Sequence, residues 1–80
     1  MARTVLKMPK VSDTDDSVVV LRWLCSVGDT VTVGAPIVEV ESSKATVEVP
    51  APVVGTVTEI LVAADFEVAT GTAICVLDTP

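Results

Sequence analysis

Apolar and polar residues alternate with a period of two over much of this chain, and turn-forming residues cut the alternation into short lengths. The clearest case is Val38 to Val49, which reads Val-Glu-Val-Glu, Ser-Ser-Lys-Ala, Thr-Val-Glu-Val. A strand sends successive side chains to opposite faces, so Val38, Val40, Val47 and Val49 are expected to face a core and Glu39, Glu41, Thr46 and Glu48 to face water. The residues between the two flanks break the alternation and contain two serines, which predicts a tight turn with Lys44 at its tip. Further breaks at Pro9, Ser12 to Ser17, Gly28-Asp29, Gly34 to Pro36, Pro50 to Pro52, Gly55, Ala63 to Asp65 and Gly71 divide the chain into eight predicted strands. These fall near 4–8, 18–25, 30–33, 37–41, 45–49, 55–62, 67–70 and 73–78.

Composition strengthens that pattern. With 18 Val, 10 Thr and 3 Ile in 80 residues, the β-branched types that suit a pleated, half-buried surface dominate. The expectation is one small all-β domain, a sandwich or small barrel, over residues 1–80. Asp78–Pro80 reads either as the start of a linker or as the end of a free-standing domain.

A displacement of 37 residues lays Val20, Leu24, Val31, Gly34 and Ile37 on Val57, Leu61, Val68, Gly71 and Ile74. The pattern Val-x-x-Gly-x-x-Ile thus occurs twice, from Val31 and from Val68. Two copies are too few for a solenoid and fit two similar half-domains packed face to face. Under such a pseudo-two-fold relation, the 41–45 hairpin would map onto the chain ends, so hairpin and termini should lie at opposite poles. Gly34 and Gly71 would supply backbone freedom at equivalent turns.

Charge and rare residues narrow the chemistry. There is no His, which excludes Ser-His-Asp and Cys-His machinery and imidazole acid–base work within the chain. A net charge of -6 repels phosphate backbones, so no nucleic acid partner is expected. No apolar run approaches the ~20 residues that cross a bilayer, so no membrane partner is expected. Met1 to Lys10 lacks the pattern of a secretory signal. Cys25 and Cys75 have no metal or redox spacing and are expected to be reduced thiols, pointing to a cytoplasmic or mitochondrial-matrix setting. Cys75 reads as buried, and no redox role is expected of Cys25. Trp23 and Phe66 read as packing residues. Asp13-Thr14-Asp15-Asp16 lacks the Gly and Glu of a calcium loop, so no metal is expected there.

Lys44 is the only cation after Arg22, against eight acidic residues in the same stretch. The run Glu41-Ser42-Ser43-Lys44-Ala45-Thr46-Val47-Glu48-Val49 resembles the lipoylation site of lipoyl domains, usually Glu-Thr-Asp-Lys-Ala followed by an alternating strand. Met8 to Ser12, Arg22-Trp23-Leu24, Gly28 to Val31, Pro50-Ala51-Pro52, Gly55-Thr56-Val57, Glu59 to Val62 and Gly71 to Ile74 resemble the family's remaining segments in order.

The resemblance implies a flattened sandwich of two four-stranded antiparallel sheets with pseudo-two-fold symmetry, a barrel-sandwich hybrid. It also implies lipoic acid in amide linkage to Lys44, with Glu41, Ser42, Ser43 and Ala45 presenting that residue. Asp13, Asp15 and Asp16 would belong to a loop that helps a partner enzyme choose among carriers. The implied role is a non-catalytic carrier that takes an acyl group from a thiamine-diphosphate-dependent 2-oxo acid decarboxylase. The group passes to coenzyme A at an acyltransferase core, and dihydrolipoyl dehydrogenase reoxidises the arm. A lipoate-attaching enzyme is implied as a further partner. Ser43 departs from the family's Asp, which could alter recognition while leaving the turn intact. Biotin carriers place Met on both sides of their lysine, whereas Lys44 has Ser43 and Ala45, so a biotin carrier domain of a carboxylase is the second reading. An unmodified barrel-sandwich interaction module is the third.

Overall fold

A computed structural model describes residues 2–11 and 16–80, and the described residues form eight strands and no helix. They are β1 (Ala2–Lys7), β2 (Ser17–Trp23), β3 (Thr30–Val31), β4 (Pro36–Glu41), β5 (Thr46–Pro50), β6 (Gly55–Ile60), β7 (Glu67–Ala69) and β8 (Ala73–Thr79). Each predicted segment overlaps one of them, with ends that differ by up to two residues. The strands build two four-stranded antiparallel sheets with orders β1-β8-β6-β3 and β5-β4-β2-β7. Adding four to each strand number in the first order, cyclically, gives the second. The two half-domains therefore exchange strands instead of each forming its own sheet.

The symmetry extends to single backbone groups. The Leu24 amide donates to the Ile37 carbonyl and the Leu61 amide to the Ile74 carbonyl, both at 2.8 Å. Gly28 donates to Val57 while Asp65 donates to Val20, both at 2.7 Å. The register slips between Val20 and Arg22 in one sheet and between Val57 and Glu59 in the other. Gly34 and Gly71 both have positive φ, 88° and 90°, as the repeated glycine required. Gly28 at φ 99° is matched by Asp65 at φ 74°, the only non-glycine with positive φ among the described residues.

Alternation decides which side of the hairpin strands is buried from Val38 to Val49, whereas β8 buries Ile74, Cys75, Val76 and Leu77 in succession. Val38, Val40 and Val49 are buried and Val47 is half-buried, while Glu41, Thr46 and Glu48 are exposed. Across the hairpin Val38 faces Val49 and Val40 faces Val47, the cross-strand pairing that stabilises a sheet. Glu39 faces Glu48 on one side and Arg22 on the other, with Arg22 Nε 3.1 Å from Glu39 Oε1. The core adds Leu6, Met8, Val18, Val20, Val31 and Ile37 from the first half of the chain, and Ala51, Val57, Val68, Ile74, Cys75 and Leu77 from the second. Trp23 packs against this core and donates Nε1–H to the Val62 carbonyl at 2.8 Å, as expected of a packing residue. Phe66 does not pack into the core: it is 62% exposed at the turn before β7.

The same symmetry fixes the poles of the molecule. Exchanging the halves carries Ser42 onto Thr79 and Ala45 onto Ala2, and these pairs share one contact. The Ser42 hydroxyl donates to the Ala45 carbonyl at 3.0 Å, and the Thr79 hydroxyl donates to the Ala2 carbonyl at 2.9 Å. From the turn, β5 leads away to Pro50, and Gly55 follows beside Asp78 next to the chain ends. Hairpin and termini thus occupy opposite ends of a body 36 × 20 × 18 Å.

Candidate functional site

The β4–β5 hairpin ends in a four-residue turn, Ser42 to Ala45, closed by the Glu41–Thr46 pair. Its shape depends on Ser42. The Ser42 amide donates to the Ala45 carbonyl at 2.9 Å. The Ser42 hydroxyl donates to that same carbonyl and accepts from the amides of Lys44 at 3.3 Å and Ala45 at 3.2 Å. A serine hydroxyl that bonds backbone groups two and three residues on replaces sheet hydrogen bonds that a turn cannot make. The turn therefore survives with Ser43 where the resembling family has Asp, and the hydroxyl that closes it belongs to Ser42.

Lys44 stands at the apex, exposed, and makes no ion pair among the described residues. Its chain neighbours Ser43 and Ala45 are small and exposed. A primary amine in this position can be approached from outside and acylated while the two strands keep the backbone still. An exposed primary amine at a turn apex fits a covalently attached acid.

β2 lies between β4 and β7, which brings groups to the hairpin that are distant in sequence. Val19 faces Glu41 on one side and Glu67 on the other. A shallow groove next to the turn is lined by Asp16, Ser17, Glu41, Ser42, Ser43 and Glu67 among others. The Ser17 hydroxyl donates to Glu67 Oε2 at 2.7 Å, fixing one carboxylate on its rim. Of the three aspartates expected beside the lysine, Asp16 is at this groove; Asp13 and Asp15 lie outside the described residues. Ser17 and Glu67 were not legible as site residues, because no local pattern places β7 next to β2.

Both cysteines are free. Cys75 is fully buried, and burial, followed by the neighbouring Cys25 thiol, pushes it up to about 11. Cys25 is half-buried, donates to the Ile37 carbonyl at 3.6 Å, and is pushed up by burial and then by Asp29. Raised thiols hold little thiolate near neutral pH. The described residues contain no cluster of metal ligands, and no helix among them is long and apolar enough to cross a membrane.

With this geometry in hand, three comparisons bear on the chain. The biotin/lipoyl family model, described as "Biotin-requiring enzyme", matches residues 4–77. The dihydrolipoyllysine-residue acetyltransferase component of the pyruvate dehydrogenase complex of Corynebacterium glutamicum is 40% identical over 73 residues. That match takes in 91% of this chain and 11% of the relative, so the chain spans about a tenth of the relative's length. The solution structure of the lipoyl domain of the Azotobacter vinelandii 2-oxoglutarate dehydrogenase complex superposes with a TM-score of 0.74 at 25% identity, covering 94% of this chain and 96% of that domain. A single-chain, multi-domain long-chain acyl-CoA carboxylase shares the fold, with a TM-score of 0.80 at 20% identity over 98% of this chain and 7% of its own.

Proposed function

Since this chain belongs to the biotin/lipoyl attachment family and stands among its lipoyl domains, we propose that Lys44 carries lipoate in amide linkage and that the chain is the acyl-carrying domain of a 2-oxo acid dehydrogenase complex. The observation that carries the reading is the exposed Lys44 amine at the apex of a turn held by the Ser42 hydroxyl. Bound there, lipoate supplies a dithiolane through which acyl groups pass from a thiamine-diphosphate-dependent decarboxylase to coenzyme A at an acyltransferase, before reoxidation by dihydrolipoyl dehydrogenase.

The chain's own residues present the amine, resist bending of the hairpin and offer a surface to the partners; none acts as an acid, base or nucleophile. Pairing of Val38 with Val49 and of Val40 with Val47 anchors both legs of the hairpin in the core. Tethering the arm to a domain at the pole away from the termini leaves it free to sweep while the chain ends stay attached elsewhere, which raises its effective concentration at each active site. The two free cysteines support a reducing compartment, cytoplasmic or mitochondrial-matrix.

Intact mass after expression with a lipoate-attaching enzyme and lipoate, and separately with a biotin-attaching enzyme and biotin, tests the reading. One lipoyl group on the wild type and none on Lys44→Arg is the expected result. Biotin uptake in its place would assign the chain to the biotin carriers. No modification by either enzyme would leave a bare interaction module.

A further inference from the structure

The molecule contains its own comparison for every surface, because each half repeats the other. Equivalent positions differ in several places, such as Leu21 against Thr58, Arg22 against Glu59, and the exposed Val27 and Val33 against Ala64 and Thr70; one contrast falls at the turn before β7. Where the first half has Ser26, Asp29 and Thr32, the second has Ala63, Phe66 and Ala69. In the first half, the Asp29 carboxylate accepts from the Ser26 amide at 2.8 Å and so closes its own turn. Phe66 cannot do this, yet its carbonyl is held in the same way: the Val20 amide donates to the Phe66 carbonyl at 2.9 Å, and the Val57 amide to the Asp29 carbonyl at 2.8 Å. The fold thus places a polar residue here without penalty, and the aromatic ring adds nothing to the core.

Phe66 is 62% exposed and Leu61 43%, and both line a groove with Val62, Ala63 and Ala69. Water-facing apolar groups gathered in one groove mark an interaction surface, whereas single ones do not. Phe66 is flanked in sequence by the exposed Asp65 and Glu67, so its occupant should present basic groups around an apolar socket. Glu67 also lines the groove beside the Lys44 turn, so the two grooves adjoin at that side chain. Thr46, Glu41, Val19 and Glu67 form a row across four hydrogen-bonded strands. At ~4.8 Å per strand, that row is about 14 Å long. A standard interface of ~800 Å² per partner, centred on the hairpin, has a radius of about 16 Å and reaches β7.

Resting on the carrier reading above, we propose that Phe66, with Leu61 and Ala63, is the apolar anchor by which the domain docks on the decarboxylase that loads the arm, in a socket rimmed by Lys or Arg. An attaching enzyme has to reach only the Lys44 amine, which stands exposed at the apex of its turn. The loading enzyme must hold the domain body while the arm enters its active site, and so covers the wider area.

Phe66→Asp restores the residue found at the equivalent turn and is expected to fold with unchanged thermal stability. It should take lipoate at the wild-type rate, by intact mass. Against whichever of the pyruvate, 2-oxoglutarate or branched-chain decarboxylases acylates the wild type fastest, its KM should rise at least about tenfold with kcat unchanged, the mark of a lost docking contact. Unlipoylated ¹⁵N-labelled wild type titrated with the same enzyme should show amide shifts at residues 61–69 as well as 41–46, and those shifts should be lost in Phe66→Asp. Asp65→Asn, which tolerates the positive φ, should flatten the salt dependence of KM.

Wild-type KM for lipoylated Phe66→Asp, or shifts confined to the hairpin, would overturn the anchor and leave the carrier reading intact. Slowed lipoylation with unchanged acylation would give the surface to the attaching enzyme and equally overturn it. A wild type that accepts no lipoate removes the carrier reading and the anchor with it.

Discussion

Replacing Ser42 by alanine removes one hydroxyl that makes three contacts: to the Ala45 carbonyl at 3.0 Å, from the Lys44 amide at 3.3 Å and from the Ala45 amide at 3.2 Å. All three are long and the site is half-exposed, so each contributes at the lower end of the usual ~0.5–1.5 kcal/mol, and water replaces part of the loss. The 2.9 Å bond from the Ser42 amide to Ala45 remains. A total of about 1 kcal/mol follows, which for a domain of this size lowers Tm by about 4–8 °C. Because the contacts are confined to the turn, most of the effect should appear there as fast amide exchange at 43–45, with a roughly fivefold smaller ratio of ordered to open turn.

Lipoylation of Ser42→Ala should slow by a similar factor, whereas Ser42→Thr, which keeps the hydroxyl, should behave as wild type. Thr79→Ala is the internal control, since it deletes the symmetric hydroxyl at the other pole and should cost stability without affecting lipoylation. Calorimetry, hydrogen exchange and a mass-resolved lipoylation time course make the three measurements. A Ser42→Ala protein with wild-type exchange at 43–45 and a wild-type lipoylation rate would refute the view that this hydroxyl orders the site.

Two other outcomes follow from the half-domain correspondence. Gly28→Ala forces a side chain into positive φ and should lose roughly 1–2 kcal/mol, whereas Asp65→Gly at the equivalent position should be neutral or stabilising by up to about 1 kcal/mol; urea unfolding with unchanged m-values checks both. Cys75, raised from 9.0 to about 11 by burial and then by Cys25, keeps its proton in the fold after the unfolded chain has lost it. Stability is therefore complete below pH 9 and declines as pH rises towards 11, by roughly 2–3 kcal/mol for a displacement of that size. Cys75→Val, which copies the equivalent Val38, should abolish that alkaline component when wild type and variant are unfolded in urea at pH 8 and pH 10.5.

The period of two from Val38 to Val49 was enough to locate both legs of the hairpin, their buried faces and Lys44 at the apex, because alternation is a property of each strand alone. The repeat of Val-x-x-Gly-x-x-Ile likewise announced the two halves and the two positive-φ glycines, since a tight turn restricts its own residues whatever surrounds it. Phe66 shows where such reasoning stops. An aromatic residue is usually buried, and the local pattern around it does not tell an inward from an outward position in a turn. Ser42 and Ser43 were equally plausible turn residues, and only the geometry of the closed turn selects the hydroxyl that reaches two amides and a carbonyl.

Strand number, the faces of the hairpin strands, the half-domain repeat and the lysine of the site were thus written in the order of residues along the chain. The exchange of strands between halves, the row that joins Thr46 through Glu41 and Val19 to Glu67, and the groove that leads on to Phe66 were decided by tertiary structure. Periodicity acts over a few residues, whereas the pairing of β2 with β4 and β7 is a contest among distant segments, settled by which arrangement buries all eight apolar faces at once.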